Sequence, residues 1–247
     1  MKKLGLLLLA ITCLTACSNE EKNLSIHGKV QGLKKGTLYL QKIEDTSLVT
    51  LDSVLVNGKE DFKFETYIDG AQVLYLYLNK VDNNQYDDRV LFFAEPGEMG
   101  INTTLKNFEA DAVVEGSKNQ EKLMEYRKMM QRFNNKNLEL IKSNLLAQQK
   151  EDKVSMDSTA RAYENLIKRR YLFTVNYALN NKDMEVAPYL AISEVYDANI
   201  KFLDTIYNSL TPKVKDSKYG KSLEDFLKER KATDNQEISS ESTASAQ

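Results

Sequence analysis

His27 is the single histidine of the 247-residue chain, and a lone imidazole can act as a general base or as one metal ligand among several. No HxxxH or CxxC spacing supplies it with co-ligands. A Ser-His-Asp site would have to use His27, yet no G-x-S-x-G turn accompanies it. Next to Gly28 in an alternating segment, His27 reads as an outward-facing strand residue. The stretch VDNNQYDD, residues 81–88, is the one acidic, asparagine-rich loop, and Asp82, Asn84, Asp87 and Asp88 carry oxygen atoms suited to Ca²⁺. An EF-hand loop needs glycine at its sixth place and glutamate at its twelfth, where this sequence has Asp87 and Phe93. That departure favours a polar hairpin loop, with calcium as the lesser alternative. Gly28, Gly32 and Gly36 punctuate strands and do not form a phosphate-cradling loop. With 36 acidic residues, a carboxylate-based hydrolase acting on glycans stays open as the enzymatic alternative, although no spacing marks a pair.

The cysteines carry a different chemistry. Cys13 and Cys17 are the only two. Met1-Lys2-Lys3 is a short basic start, and LGLLLLAI, residues 4–11, is an apolar run of eight. A membrane-spanning helix needs about 20 apolar residues, so the run has the length of a signal-peptide core instead. Leu14-Thr15-Ala16-Cys17 then resembles the bacterial lipobox, in which the cysteine thiol receives a diacylglyceryl group and becomes the first mature residue. The expectation is therefore a lipoprotein signal peptide over 1–16, lipidation at Cys17, and a polar tether over 17–23. Two or three acyl chains, at about 0.8 kcal/mol per buried methylene, hold a protein stably to a bilayer. Cleavage before Cys17 would remove Cys13 and leave no free thiol, which excludes a disulfide or a thiol redox centre in the body. Glu20-Glu21 resembles the acidic signal that directs some lipoproteins of two-membrane bacteria outward; an ordinary solvated linker explains it equally well.

The elements that must position any site fall into two halves. From Leu24 to Glu115 the apolar pattern has period two with turn punctuation, the pattern of strands. Leu24, Ile26, Gly28 and Val30 alternate with polar residues. Asn57-Gly58 between Leu48–Val56 and Phe62/Phe64 predicts a hairpin, and Pro96-Gly97 between Arg89–Ala94 and Met99–Leu105 predicts another. The run AQVLYLYL, residues 71–78, is apolar on both faces and predicts a central buried strand. After Gly116 the period changes. Ser117 with Gln120 forms a capping-box pattern, and Leu123, Tyr126, Met130 and Phe133 recur at helical spacing to about Gln149. A second helix starts near Asp157 or Ser158 and ends at Asn180-Asn181; Pro188 and Pro212 sit in the first turns of later ones. Lys168-Arg169-Arg170 reads as a solvated helix face. Beyond Lys231 the chain is rich in Ser, Thr, Glu and Gln and predicts a disordered tail. The expected fold is α+β: an antiparallel β-sandwich or partly open barrel over 24–116, a helical domain over 117–231, and a tail over 232–247.

Ile26-His27-Gly28-Lys29-Val30-Gln31-Gly32-Leu33, followed by Gly36-Thr37-Leu38-Tyr39-Leu40, resembles the start of a domain of unknown function found at the N-terminus of many bacterial thioredoxin-like thiol:disulfide interchange lipoproteins. Phe92-Phe93-Ala94-Glu95-Pro96-Gly97 and Val114-Glu115-Gly116-Ser117-Lys118-Asn119 are similar to the end of that β domain and its entry to the helices. Val186-Ala187-Pro188-Tyr189-Leu190 and Ser217-Lys218-Tyr219-Gly220 resemble the helical connector. The resemblance implies a fold and not a chemistry. In those relatives a thioredoxin fold follows the connector; about 30 residues remain here after Gly220, fewer than such a domain needs. The expectation is a non-enzymatic binding or scaffold module without a cofactor, lipid-anchored in the cell envelope at the outer membrane and facing the periplasm or the surface. Its expected partners are the membrane and an envelope protein. An accessory subunit of a thiol-redox system, with the thioredoxin domain on another chain, is the alternative. With 34 Lys+Arg against 36 Asp+Glu, no clustered basic excess points to nucleic acid.

Overall fold

The computed structural model describes residues 21–44, 46–80 and 88–244, with side chains described as far as residue 233. Cys17, the leader and the candidate ligands Asp82, Asn84 and Asp87 lie outside the described residues.

Among the described residues, the alternation in the first half produces eight strands: β1 Leu24–Gln31, β2 Lys35–Glu44, β3 Ser47–Asn57, β4 Asp61–Thr66, β5 Gln72–Asn79, β6 Asp88–Ala94, β7 Gly97–Thr104 and β8 Val113–Glu115. They form two four-stranded sheets, in the orders β4-β1-β7-β8 and β3-β2-β5-β6. Inward residues of the first sheet, among them Ile26, Phe64 and Ile101, meet Leu38, Leu40, Leu74, Leu76 and Phe92 of the second in one apolar core. The sheets face each other as a sandwich and do not close into a barrel.

Two expectations need correction. Asn57-Gly58 and Pro96-Gly97 do not close hairpins. β3 pairs with β2 whereas β4 pairs with β1, so the first turn carries the chain from one sheet to the other, with Gly58 at φ +87°. The second turn does the same between β6 and β7. The sandwich is also not wholly antiparallel. β1 and β7 run parallel, from Leu24 opposite Gly97 to Gln31 opposite Thr104, because their connection crosses the second sheet and returns.

Gly28 shows how close that parallel pair lies. It occupies an inward position of β1, yet a Cβ there would stand 1.8 Å from the Ile101 carbonyl oxygen and 2.8 Å from the Phe62 ring. The phenylalanine fills the room that the glycine leaves. Asn23, one residue before β1 and within the stretch read as tether, is held to the sandwich. Asn23 Oδ1 accepts from the Ile68 N–H at 2.9 Å, and Asn23 Nδ2 donates to the Ile68 carbonyl at 2.8 Å.

The second half folds into α1 Lys118–Gln149, α2 Lys153–Asn180, α3 Val186–Glu194, α4 Ile200–Ser209, α5 Pro212–Lys215 and α6 Lys218–Ala244. Leu123, Tyr126 and Met130 are buried as their spacing requires. α2 begins earlier than expected. Asp152 is its cap, its carboxylate accepting from the Ser155 N–H at 3.1 Å. α4 has no counterpart in the sequence reading, although Asn199 caps it and Leu203 and Ile206 are buried along it. α6 is helical to Ala244, where the composition beyond Lys231 predicts a tail without structure. That stretch lacks proline and glycine, the residues that break a helix already begun. Among the described residues, no helix is long and apolar enough to cross a membrane.

Candidate functional site

The site is built where the sandwich meets the helices. β2 pairs with β5 only as far as Gln41 opposite Tyr75, which leaves the first residues of β5 without a strand on that side. An unpaired buried N–H is costly, so another group must accept from it. The Val73 N–H donates to the Tyr219 hydroxyl at 2.8 Å. Opposite Val73 stands Phe93, on the edge strand β6, and its N–H donates to Gln120 Oε1 at 2.8 Å. Gln120 is thus not the second half of a capping box. Ser117 accepts from the Gln120 N–H at 3.0 Å as expected, but the glutamine side chain reaches across to the sheet instead of back to its own cap.

Around these two bonds lies an apolar joint of Val73, Phe93, Leu123, Tyr126, Val186, Leu190 and Tyr219. The Phe93, Tyr189 and Tyr219 rings meet edge-on at 5.1–5.6 Å between centroids, a favoured geometry. Beside it a polar group closes the corner. Glu95 Oε1 accepts from the Ser117 hydroxyl at 2.8 Å, from the Asn119 N–H at 2.7 Å and from Asn119 Nδ2 at 2.9 Å. Asn119 also donates to Glu185 Oε2 and accepts from the Val186 N–H, each at 2.8 Å. One carboxylate and one amide therefore fasten the β6–β7 corner to the starts of α1 and α3.

Each residue of Ser217-Lys218-Tyr219-Gly220 has a place in this joint. Ser217 Oγ accepts from the Gly220 N–H at 3.2 Å and donates to the Val214 carbonyl at 2.6 Å. Tyr219 holds β5 through Val73. Gly220 lies so close to α5 that a Cβ would stand 2.0 Å from the Val214 carbonyl oxygen. Lys218 reaches the other way, and its Nζ donates to Gln72 Oε1 at 3.0 Å.

Lys218 and Gln72 line a cleft of about 590 Å³ together with Lys42, Glu44, Asp69, Glu185, Lys213, Asp216 and Lys221. It adjoins a second cleft of about 650 Å³, which it meets at Lys42, Asp69 and Gln72 and whose wall includes Lys22, Asp52 and Glu65. Lys42 pairs with Glu44 at 3.2 Å. Lys218 has no carboxylate within 4 Å among the described residues. Loss of solvation around its ammonium, and then the charge of Lys42, lower its pKa. Asp69 likewise makes no ion pair or side-chain hydrogen bond among the described residues. Gln72 is 6% exposed, and while its carbonyl oxygen serves Lys218, its Nε2 has no partner among the described residues. The sequence does not show that these groups meet, because Gln72 and Lys218 are 146 positions apart. The only signal was the Ser217–Gly220 motif itself.

The residues singled out for chemistry do not assemble. His27 is exposed on β1, opposite Lys63 on β4 and Gly100 on β7. Asp88 pairs with Lys80 Nζ at 2.6 Å. Among the described residues there is no group of three or more His, Cys, Asp or Glu that could hold a metal ion.

Residues 24–123 match the model of a family described as "Domain of unknown function (DUF4369)". Over those residues the chain is similar to that domain family. Its match extends past the last strand into α1 as far as Leu123, so it takes in Ser117, Asn119 and Gln120, the residues that bind the first helix to the sandwich. No curated protein matches the chain.

Proposed function

We propose that this protein is a non-enzymatic binding or scaffold module held at the cell envelope by a lipid on Cys17, with the cleft at the DUF4369–helix joint as its binding surface. The observation that carries the reading is the cleft's wall. It gathers lysines and carboxylates of which several, Lys218 and Asp69 among them, make no ion pair among the described residues, around the Gln72 amide, the inventory of a polar binding surface. Ser217, the hydroxyl nearest Lys218 in sequence, is engaged in capping, and no general base stands on it. The leader 1–16 and the Leu14-Thr15-Ala16-Cys17 pattern support the anchor.

The finer reading places the DUF4369 domain with the N-terminal domains of thioredoxin-like lipoproteins, on the motifs around Gly28, Pro96, Gly116 and Gly220. The protein would then be an accessory to a thiol-redox partner on another chain, and co-purification with a thioredoxin-like lipoprotein tests that. The main proposal is tested by intact-mass measurement of the membrane-extracted protein and by partner recovery from solubilised membranes. Cleavage before Cys17 with an added diacylglyceryl mass, lost from membranes in Cys17→Ser, is the expected result. An unprocessed chain in a soluble extract overturns the anchor, and a clean bait without an enriched partner overturns the scaffold role.

A further inference from the structure

On the far side of β5 from Tyr219, the second sheet ends at β6. The Phe93 N–H, which donates to Gln120 Oε1, marks the edge of β6 that points away from β5. In an antiparallel ladder that direction recurs at every second residue, so the Leu91 N–H and carbonyl, opposite Tyr75, point the same way. Among the described residues neither group makes a hydrogen bond. Leu91 opens onto a groove of about 340 Å³ between this edge, α1 and the segment that leads into β8, with Ala112, Val114 and Met124 among its apolar walls. Arg127, seven residues along α1 from Gln120, also lines the groove. It is half-buried and makes no ion pair or side-chain hydrogen bond among the described residues. Glu109, the carboxylate of the lining, is exposed and does not reach it.

We propose that this groove takes the C-terminal end of a partner polypeptide as an added strand on β6, its backbone on the Leu91 N–H and carbonyl and its terminal carboxylate on Arg127. A strand edge with a donor and an acceptor both free pairs with an extended backbone. The next edge position, Phe93, is already taken by Gln120. An added strand therefore stops there, and a chain end fits where a continuous chain would not. Of the two kinds of chain end, a guanidinium without a counter-ion selects the carboxylate. Helical side chains lean toward the start of their helix, which brings Arg127 back toward Gln120 and the blocked end. The apolar walls then receive every second side chain of the bound segment. The groove lies apart from the cleft at the joint and shares none of its lining, so the inference adds a second binding surface to the module.

Fluorescence polarisation of the full chain with a pool of labelled hexapeptides, varied among valine, isoleucine, leucine and threonine at the last three positions, tests it. The free-acid pool is expected to bind at least tenfold more tightly than the same pool made as C-terminal amides. Arg127→Gln should abolish that preference, and a thermal melt of the variant shows that its fold is kept. On binding, hydrogen exchange at the Leu91 amide should slow at least tenfold, while the Phe92 amide, which faces β5, stays as it was. Methylating one of two successive peptide amides should weaken binding at least tenfold and methylating its neighbour should not, because only alternate amides face the edge. Equal binding of acid and amide pools would point to an internal segment, and a dimeric chain with Leu91 protected before peptide is added would point to a second copy on this edge. Either result overturns the inference, as does a preference that survives Arg127→Gln or an absence of binding at millimolar peptide. The measurement uses neither the lipid on Cys17 nor the joint cleft, so its failure is distinct from a failure of the anchor or scaffold role.

Discussion

Replacing Tyr219 by phenylalanine removes one oxygen atom from the joint and leaves its rings in place. The Tyr219 hydroxyl accepts from the Val73 N–H at 2.8 Å, both residues are at most 8% exposed, and no strand reaches Val73 on that side. The variant therefore strands a buried donor, which costs about 1–3 kcal/mol. At about 2 kcal/mol the folded population falls roughly 30-fold relative to the unfolded one, and Tm drops by about 4–8 °C for a chain of this size. The contacts of the ring with Phe93 and Tyr189 persist, so packing loss does not confuse the reading. Denaturant melts supply the stability. Amide hydrogen exchange supplies the location, with Val73 losing protection while the amides of β5 that face β6 keep theirs. A stability change under about 0.5 kcal/mol, together with unchanged exchange at Val73, would show that some other group holds this N–H and that α6 does not clamp the sheet.

Gly28→Ala places a methyl group where the Ile101 carbonyl oxygen lies 1.8 Å away, and relief requires β1 to part from β7; a loss above about 4 kcal/mol is expected, and a variant that melts near wild type would refute the parallel pairing. Tyr126 is buried and its phenol is pushed up to about 12, whereas an unfolded tyrosine ionises near ~10. The fold thus gains from the neutral phenol in full below pH ~10 and loses that gain as pH rises toward 12. Denaturant midpoints across this window should fall less steeply for Tyr126→Phe, and identical alkaline limbs would sink the assignment.

How much of this was legible differs from element to element. The buried faces of β1, β4 and β5 and of α1 followed from periodicity, because burial on one side imposes the period directly. The two turns at Asn57-Gly58 and Pro96-Gly97 were recognised as turns and misread as hairpins. A turn signal records that the chain changes direction locally; which strand it then pairs with is decided by packing across the sandwich. α2 was misplaced at its start because Asp152, Asp157 and Ser158 all make competent caps, and only the contact of α2 with α1 selects among them. The candidate site was the least legible part. Its members are unremarkable by type, and only the fold brings Gln72 and Lys218, 146 positions apart, to one cleft.

The point at which the chain joins the body has a consequence for access. Lys22 lies in the wall of the second cleft, and Asn23 is already fixed to Ile68. A diacylglyceryl group at Cys17 would leave a leash of about 17 Å at full stretch, at ~3.4 Å per residue. So short a leash would hold this flank close to the lipid head groups. Whatever lodges there would have to enter sideways, through the thin layer of water between protein and bilayer.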